Sequence, residues 1–149
     1  MKAAELIATG FGIGRLPFAP GTWGSALALP IAWFVAPAGV AVSLAAAVLL
    51  TALGFWAAGE MVAGRRVADP PEIVIDEICA QWLVLAVLPR EPLAYALGFI
   101  AFRIVDIVKP WPASWADRSL TGMAGVMVDD LLAAPYAAAA AWAVLWLIG

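Results

Sequence analysis

The stretch that decides the fold is WGSALALPIAWFVAPAGVAVSLAAAVLLTALGFWAA, residues 23–58, in which no side chain carries a charge. The uncharged interval extends from Arg15 to Glu60. At about 1.5 Å per residue, residues 23–58 can form two membrane crossings of about 17 residues each. Pro37 and Gly39 interrupt the stretch, which predicts a helix, a turn and a second helix whose outer ends share one side of a bilayer.

The composition of the whole chain also favours a lipid environment. Hydrophobic residues make up 65% and charged residues 13%, and the mean hydropathy is +0.97, whereas soluble domains are roughly half apolar and a quarter charged. The net charge of −3 lacks the basic excess that nucleic-acid binding requires, so we expect no nucleic-acid partner. A soluble bundle of unusually apolar helices is the alternative.

The second half of the chain predicts fewer complete crossings. Two apolar runs, 78–89 and 93–102, flank the turn PREP, and together with their polar ends they predict a second hairpin of two helices of about 16 residues over 73–109. A re-entrant pair inside the bundle fits equally well. The uncharged run 131–148 predicts a final crossing, despite Pro135 near its start. We therefore expect an all-α integral membrane bundle of about five helices in a single domain, residues 1–149.

This arrangement places the charged segments together. Residues 1–22, 60–77 and 103–130 fall on one side of the membrane and contain every lysine and arginine except Arg90. Short loops rich in Lys and Arg remain in the cytoplasm. The sequence predicts that the charged face is cytoplasmic.

A glycine-rich segment, GFGIGRLPFAPGTWGS (10–25), precedes the first long helix. Its backbone N–H groups could bind an anion where the helix begins, at Gly21, Thr22, Gly24 and Ser25. Capping of the helix by Thr22 or Ser25 is the simpler alternative.

Two pairs of adjacent acids border apolar runs. Asp76 and Glu77 lie in DPPEIVIDEICAQW (69–82), and Asp129 and Asp130 end DRSLTGMAGVMVDD (117–130), which we expect to be the start of the last helix. Acids in a first turn can merely complement the helix dipole. Paired acids beside a lipid-like run favour a bound cation, because like charges so close would otherwise force one of them to stay protonated.

A third charged segment, FRIVDIVKPWP (102–112), combines both signs. Arg103 and Asp106 are three residues apart and share a helix face, and Lys109 continues the same strip. A purely structural Arg–Asp ion pair is the alternative interpretation. Charged groups at membrane depth are costly, so each is a functional hypothesis.

Taken together, these segments predict a phosphate-and-metal site on one membrane face. The chain has no histidine and one cysteine, Cys79, which removes the commonest zinc ligand and any intrachain disulfide. Carboxylates without such partners favour Mg²⁺. The candidate metal ligands are Asp76, Glu77, Asp106, Asp129 and Asp130. The candidate phosphate donors are Arg103, Lys109 and Arg118.

The same segments resemble, in order and spacing, the phosphatidylglycerophosphatase A family of bacterial membrane phosphatases. The resemblance covers roughly residues 8–134 and is carried by four motifs. Three positions depart from the family pattern by replacing glycine, namely Ala80, Met123 and Ala134. The four motifs are GFGIGRLPFAPGTWGS (10–25), IVIDEICAQW (73–82), GFIAFRIVDIVKPWPASWADR (98–118) and TGMAGVMVDDLLAA (121–134).

The resemblance implies Mg²⁺-dependent hydrolysis of phosphatidylglycerophosphate to phosphatidylglycerol and phosphate, at the cytoplasmic face of a bacterial inner membrane. We hypothesise that Asp76, Glu77, Asp129 and Asp130 hold the metal and that Asp106 assists them or orients Arg103. Phosphate would be bound by Arg103, Lys109 and Arg118, and by the turn containing Gly21, Thr22, Gly24 and Ser25. Water or a carboxylate would attack phosphorus. A small transporter or channel subunit using paired carboxylates, and a lipid phosphotransferase, are the competing functions.

Overall fold

The computed structural model describes residues 2–67 and 69–149, and all regular secondary structure within this part is helical. The expectation of an all-α protein is confirmed. The described residues form seven α-helices where about five were expected: α1 Ala3–Ala8, α2 Pro20–Val35, α3 Val40–Val62, α4 Ile75–Ala86, α5 Pro92–Val108, α6 Ala113–Ser119 and α7 Gly122–Ile148.

The uncharged stretch forms α2 and α3, broken where the sequence predicts. Pro20 starts α2, where its missing N–H has no intrahelical partner to lose. A 3₁₀ turn at Ala36–Ala38 follows, and Gly39 with φ 102° reverses the chain before α3. A positive φ suits glycine because it lacks a Cβ.

The two helices of this first hairpin are separated by α4. Helix α4 packs against α2, α3 and α7, whereas α2 and α3 touch each other only slightly. Trp82 of α4 donates its indole N–H to Ser43 Oγ of α3 at 3.1 Å, and Gln81 donates to the carbonyl of Gly98 on α5 at 3.3 Å. Ten of the twelve residues of α4 are buried, so this helix lies at the centre of the bundle.

Two short helices and the starts of two longer ones differ from the sequence-based expectation. The short helices α1 and α6 were not predicted, because six and seven residues are too few to show a periodic apolar pattern. Helix α4 has 12 residues instead of about 16, since the chain before it stays irregular, with the Val74 N–H donating to the Ala8 carbonyl at 2.9 Å. Helix α7 begins at Gly122, well before residue 131.

Two of the described helices are long and apolar enough to cross a membrane, namely Val40–Val62 and Gly122–Ile148. Helices α2 and α5, with 16 and 17 residues, lie at the lower limit for a crossing. Helix α4 is the short arm of the second hairpin. These lengths and compositions are compatible with a membrane-associated helical protein.

Candidate metal and phosphate site

A cavity of about 410 Å³ opens where the first turn of α2, the first turn of α4 and the second half of α5 meet. The segment leading into α4 forms its remaining wall. Its charged and polar lining consists of Thr22, Asp69, Asp76, Glu77 and Arg103. Residues from distant parts of the sequence therefore share one pocket.

Three carboxylates gather beside this cavity. Asp76, Glu77 and Asp130 can each present one oxygen such that all three oxygens lie within 4.8 Å of one another. Asp76 and Asp130 are only 6% and 3% exposed. In the described part of the chain, Asp76 Oδ1, Glu77 Oε2 and Asp130 Oδ2 are buried and have no hydrogen-bond partner.

These orphaned oxygens test whether a metal fits. Burying a charged carboxylate without a partner is strongly unfavourable. Three carboxylates that can each place one oxygen within 4.8 Å of the other two form an arrangement that a hard divalent cation would satisfy, because such cations prefer carboxylate oxygens. The carboxylates of Asp76, Glu77 and Asp130 could therefore hold a metal ion.

Asp129 and Asp130 lie inside α7, not at its start as the sequence analysis expected. Helix α7 begins at Gly122, so at 3.6 residues per turn both acids lie in its third turn. A helix dipole acts mainly within the first turn. Dipole complementation therefore does not explain this pair, whereas Asp76 and Glu77 do lie in the first turn of α4.

Arg103 extends from α5 into the cavity. Its Nη1 lies 2.8 Å from Asp106 Oδ2 and donates to Ser25 Oγ at 3.4 Å. Its Nε is buried without a hydrogen-bond partner in the described part of the chain. The predicted Arg103–Asp106 ion pair is thus formed, and the guanidinium still has a donor available next to the acid trio.

Lys109 forms the second cationic group. It directly follows the last residue of α5 and has a φ of 49°. Its Nζ lies 2.6 Å from Asp129 Oδ2, 3.6 Å from Asp117 Oδ1 and 3.7 Å from Asp106 Oδ1. Burial disfavours its charged form, but the hydrogen bond to Asp129 and the surrounding carboxylates outweigh it and raise the pKa of Lys109. Lys109 therefore stays protonated at neutral pH, and Asp129 is occupied by this contact.

The glycines of the glycine-rich segment allow α2 to lie close to the acids and to α4. The N-cap residue of α2 is Ala19, and no side chain caps this helix. The capping by Thr22 or Ser25 that the sequence allowed therefore does not occur. A Cβ on Gly21 would lie 2.5 Å from Glu77 Oε1, whereas one on Gly24 would lie 2.8 Å from the Cβ of Val74. Gly21 thus faces the acids, and Gly24 faces the packing contact between α2 and α4.

One predicted phosphate donor lies apart, and three polar residues were missed. Arg118 is exposed on α6 and makes no ion pair among those found in the described residues. Asp69 is exposed and lines the cavity. Asp117 approaches Lys109, and Gln81 keeps a buried, unpartnered Oε1. Asp69 and Gln81 lie near the two ends of the acidic motif at 69–82, and this position is the sequence feature that could have identified them as site residues.

Comparison with known proteins agrees with the motifs. The family model described as phosphatidylglycerophosphatase A matches residues 6–145. The chain is 35% identical to "Phosphatidylglycerophosphatase A" of Escherichia coli strain K12, over 87% of this chain and 76% of that protein. It is 36% identical to the protein of the same name from Haemophilus influenzae, over 99% of this chain and 93% of that protein.

A third relative has a different name. A protein of Bacteroides thetaiotaomicron named "Putative phosphatidylinositol-3-phosphatase" is 39% identical, over 97% of this chain and 94% of its own length. No solved structure matches the chain.

Proposed function

The chain belongs to the phosphatidylglycerophosphatase A family and is therefore a phosphatase, and on this premise we propose that it hydrolyses phosphatidylglycerophosphate to phosphatidylglycerol and phosphate with Mg²⁺. The observation that carries the proposal is the trio Asp76, Glu77 and Asp130, whose buried oxygens lack partners. A phosphomonoester on a lipid is the substrate class that needs a cation site and basic groups at the ends of apolar helices.

We assign the metal to the carboxylates of Asp76, Glu77 and Asp130. When bound there, Mg²⁺ would supply charge neutralisation for the phosphoryl oxygens and a Lewis acid beside phosphorus. Asp129 has a different role in this proposal: it holds Lys109 at 2.6 Å. Asp129 is thus a positioning residue in this proposal, which assigns three of the four hypothesised ligands to the metal.

Arg103 and Lys109 bind the phosphate. Asp106 lies between them, 2.8 Å from Arg103 Nη1 and 3.7 Å from Lys109 Nζ, and so fixes both side chains. Fixed cations aimed at the phosphoryl oxygens stabilise charge that develops as the ester bond breaks. Gly21 and Thr22 line the same cavity. The Thr22 N–H already donates to the Ala19 carbonyl at 3.1 Å, so in this proposal the Gly21 N–H, in the first turn of α2, donates to a further oxygen.

The reaction itself transfers a phosphoryl group to water. The oxygen of water forms the new bond to phosphorus while the bond from phosphorus to the glycerol oxygen breaks. The leaving glycerol oxygen takes up the proton, and inorganic phosphate and the lipid alcohol are released. Attack by an aspartate of the trio, followed by hydrolysis of the aspartyl phosphate, is the alternative route, and an acid-quenched covalent phosphoprotein would identify it.

Membrane topology follows from the same placement. We propose a single membrane-embedded domain over residues 1–149 that crosses the inner membrane several times, with the cavity at the cytoplasmic face. The supporting observation is that the three polar segments 1–22, 60–77 and 103–130, which contain all but one of the basic residues, also supply the residues of the site.

The decisive experiment measures phosphate release by purified protein in mixed micelles. We expect release from phosphatidylglycerophosphate that stops when EDTA removes divalent ions and returns with Mg²⁺. Phosphatidic acid and phosphatidylinositol 3-phosphate are tested side by side, since the Bacteroides relative's name suggests the latter. Preferred cleavage of the inositol lipid would replace the proposed substrate, and absence of phosphate release from all three would end the proposal.

A matched pair of variants tests the site. Glu77→Gln removes one charge from the trio, and we expect kcat to fall about a hundredfold or more, because the metal contributes several kcal/mol to the transition state. Glu60→Gln is the control, because Glu60 is exposed on α3 and lies outside the cavity lining. Equal activity of the two variants would contradict the metal assignment.

A further inference from the structure

A second, apolar cavity of about 420 Å³ lies between the same two helices that supply Thr22 and Arg103 to the polar cavity. Its position is toward the C-terminal end of α2 and the N-terminal end of α5. The lining residues that matter here are Leu29, Pro30, Trp33, Pro92, Tyr95 and Ala96. The two cavities therefore occupy opposite ends of one helix pair.

Helical spacing connects the two cavities along one seam. On α2, residues Thr22, Ala26, Leu29 and Trp33 follow one another at intervals of four, three and four, so they share a face.

The facing helix shows the same spacing in the opposite direction. Arg103, Phe99, Ala96 and Pro92 of α5 are also separated by four, three and four residues. None of the eight residues is buried, so both stripes stay partly accessible along their length. Apart from Thr22 and Arg103 at the polar end, it is lined by apolar side chains.

The length of the seam matches one lipid chain. Eleven residues separate Thr22 from Trp33 and Pro92 from Arg103, which at 1.5 Å per residue is about 16 Å. The hydrocarbon core of a bilayer is about 30 Å thick, so one leaflet contributes about half of that. A single extended acyl chain that starts beside the polar cavity would end at Trp33.

The far end of the seam is rigid. The rings of Trp33 and Tyr95 meet edge to face with centroids 5.3 Å apart. Arg90 lies over the Trp33 ring at 4.4 Å and donates to the Trp33 carbonyl at 2.8 Å. Aromatic side chains fixed in this way form a preorganised wall, which lowers the entropic cost of binding an apolar ligand.

We propose that the seam between α2 and α5 binds one acyl chain of the substrate lipid while its phosphorylated headgroup occupies the polar cavity. The proposal rests on the function proposed above and adds a chain-binding subsite to it. It makes the enzyme select long-chain lipid phosphates over short or soluble phosphomonoesters, since only a long chain reaches Ala96 and Trp33.

Filling the seam tests the proposal. Ala96 is exposed, so Ala96→Phe leaves the core intact and inserts a ring into the seam. We expect kcat/KM for a dipalmitoyl substrate to fall about tenfold, while kcat/KM for a dihexanoyl substrate stays at the wild-type value. Ala52→Phe, at an exposed alanine of α3, is the matched control and should change neither. An equal loss on both substrates, or no loss on either, would overturn the subsite.

A binding readout separates this proposal from the proposed function. A phosphatidylglycerophosphate with a diazirine near the end of one acyl chain should label peptides containing Trp33 or Tyr95, and unlabelled substrate should compete where phosphatidylcholine does not. Competition by any lipid would show a general lipid annulus, and labelling shared between two chains would show a second copy on the groove; either overturns the subsite. Labelling without phosphate release by the wild type would instead contradict only the proposed reaction.

Discussion

At the residue scale, two glycines three positions apart on α2 have opposite roles. Gly21→Ala would place a Cβ 2.5 Å from Glu77 Oε1 and so displace a side chain of the acid trio. Because that contact is the end of a flexible side chain, we expect unchanged stability but activity about 10–100-fold lower, as for other disturbed metal-site neighbours. A titration of phosphate release against Mg²⁺ should show the loss as weaker activation by the metal.

Gly24→Ala is the companion prediction. Here the added Cβ would meet the Val74 Cβ at 2.8 Å and its carbonyl oxygen at 3.2 Å, so the α2 and α4 backbones must separate. We expect destabilisation of about 1–3 kcal/mol by overpacking, measured as a lower thermal unfolding midpoint in detergent. If both variants lost activity and stability in parallel, the distinction between a site glycine and a packing glycine would be wrong.

Lys109 links the chemistry of the site to its stability. Lys109→Met would leave Asp129 without its cation and remove one phosphate-binding charge, so kcat should fall about 10²–10³-fold, with partial recovery in Lys109→Arg. Exposed Lys2 provides the control, Lys2→Met, which should retain wild-type activity.

The pH dependence of Lys109 follows from the direction of its pKa shift. Its pKa in the folded protein is raised, so its stabilising contribution is fully present below the ordinary lysine pKa of about 10.4 and is lost only as pH rises through the higher folded value. The difference in unfolding free energy between wild type and Lys109→Met should therefore be constant from pH 7 to 9. A difference that shrank within this interval would contradict the charged state of Lys109.

At the element scale, α4 is held at the centre of the bundle by interhelical hydrogen bonds. Ser43→Ala would remove the acceptor of the buried Trp82 indole N–H and leave that donor unsatisfied. We expect a loss of about 1–2 kcal/mol, seen as a lower unfolding midpoint in detergent micelles. Ser119→Ala, at an exposed serine of α6, should leave the midpoint unchanged.

Helix α7 shows how packing decides an element boundary. The segment before residue 131 contains Gly122, Gly125 and no strong apolar period, so sequence reasoning treats it as a turn. In the fold, a Cβ on Gly125 would lie 2.6 Å from the carbonyl oxygen of Leu120, which precedes α7, so glycine permits the preceding chain to lie close to the first turn of this helix. The extra turns place Asp130 beside Asp76 and Glu77.

At the scale of the whole molecule, the proposed topology predicts which loops face the outside. In a Cys79→Ala background, Ala38→Cys lies in the turn between α2 and α3, and Arg66→Cys lies in the segment between α3 and α4. We expect a membrane-impermeant thiol reagent to label the first in intact spheroplasts and the second only after permeabilisation. The reversed pattern would place the site on the outer face.

The sequence alone predicts the helical class, the position of the first hairpin turn and the segments that supply the acids. An uncharged stretch this long has few alternatives, because every backbone polar group in lipid must be paired internally. Charged residues in so apolar a chain are few, and each one is costly at membrane depth. Their positions in the sequence therefore identify the candidate site.

Only the tertiary structure decided which acids come together. Adjacent residues such as Asp129 and Asp130 point in directions about 100° apart on a helix, so one reaches the trio and the other reaches Lys109. The insertion of α4 between α2 and α3 depends on contacts between side chains far apart in the chain, and so does the pairing of α2 with α5. Local sequence patterns describe single helices, whereas these features arise from how the helices pack.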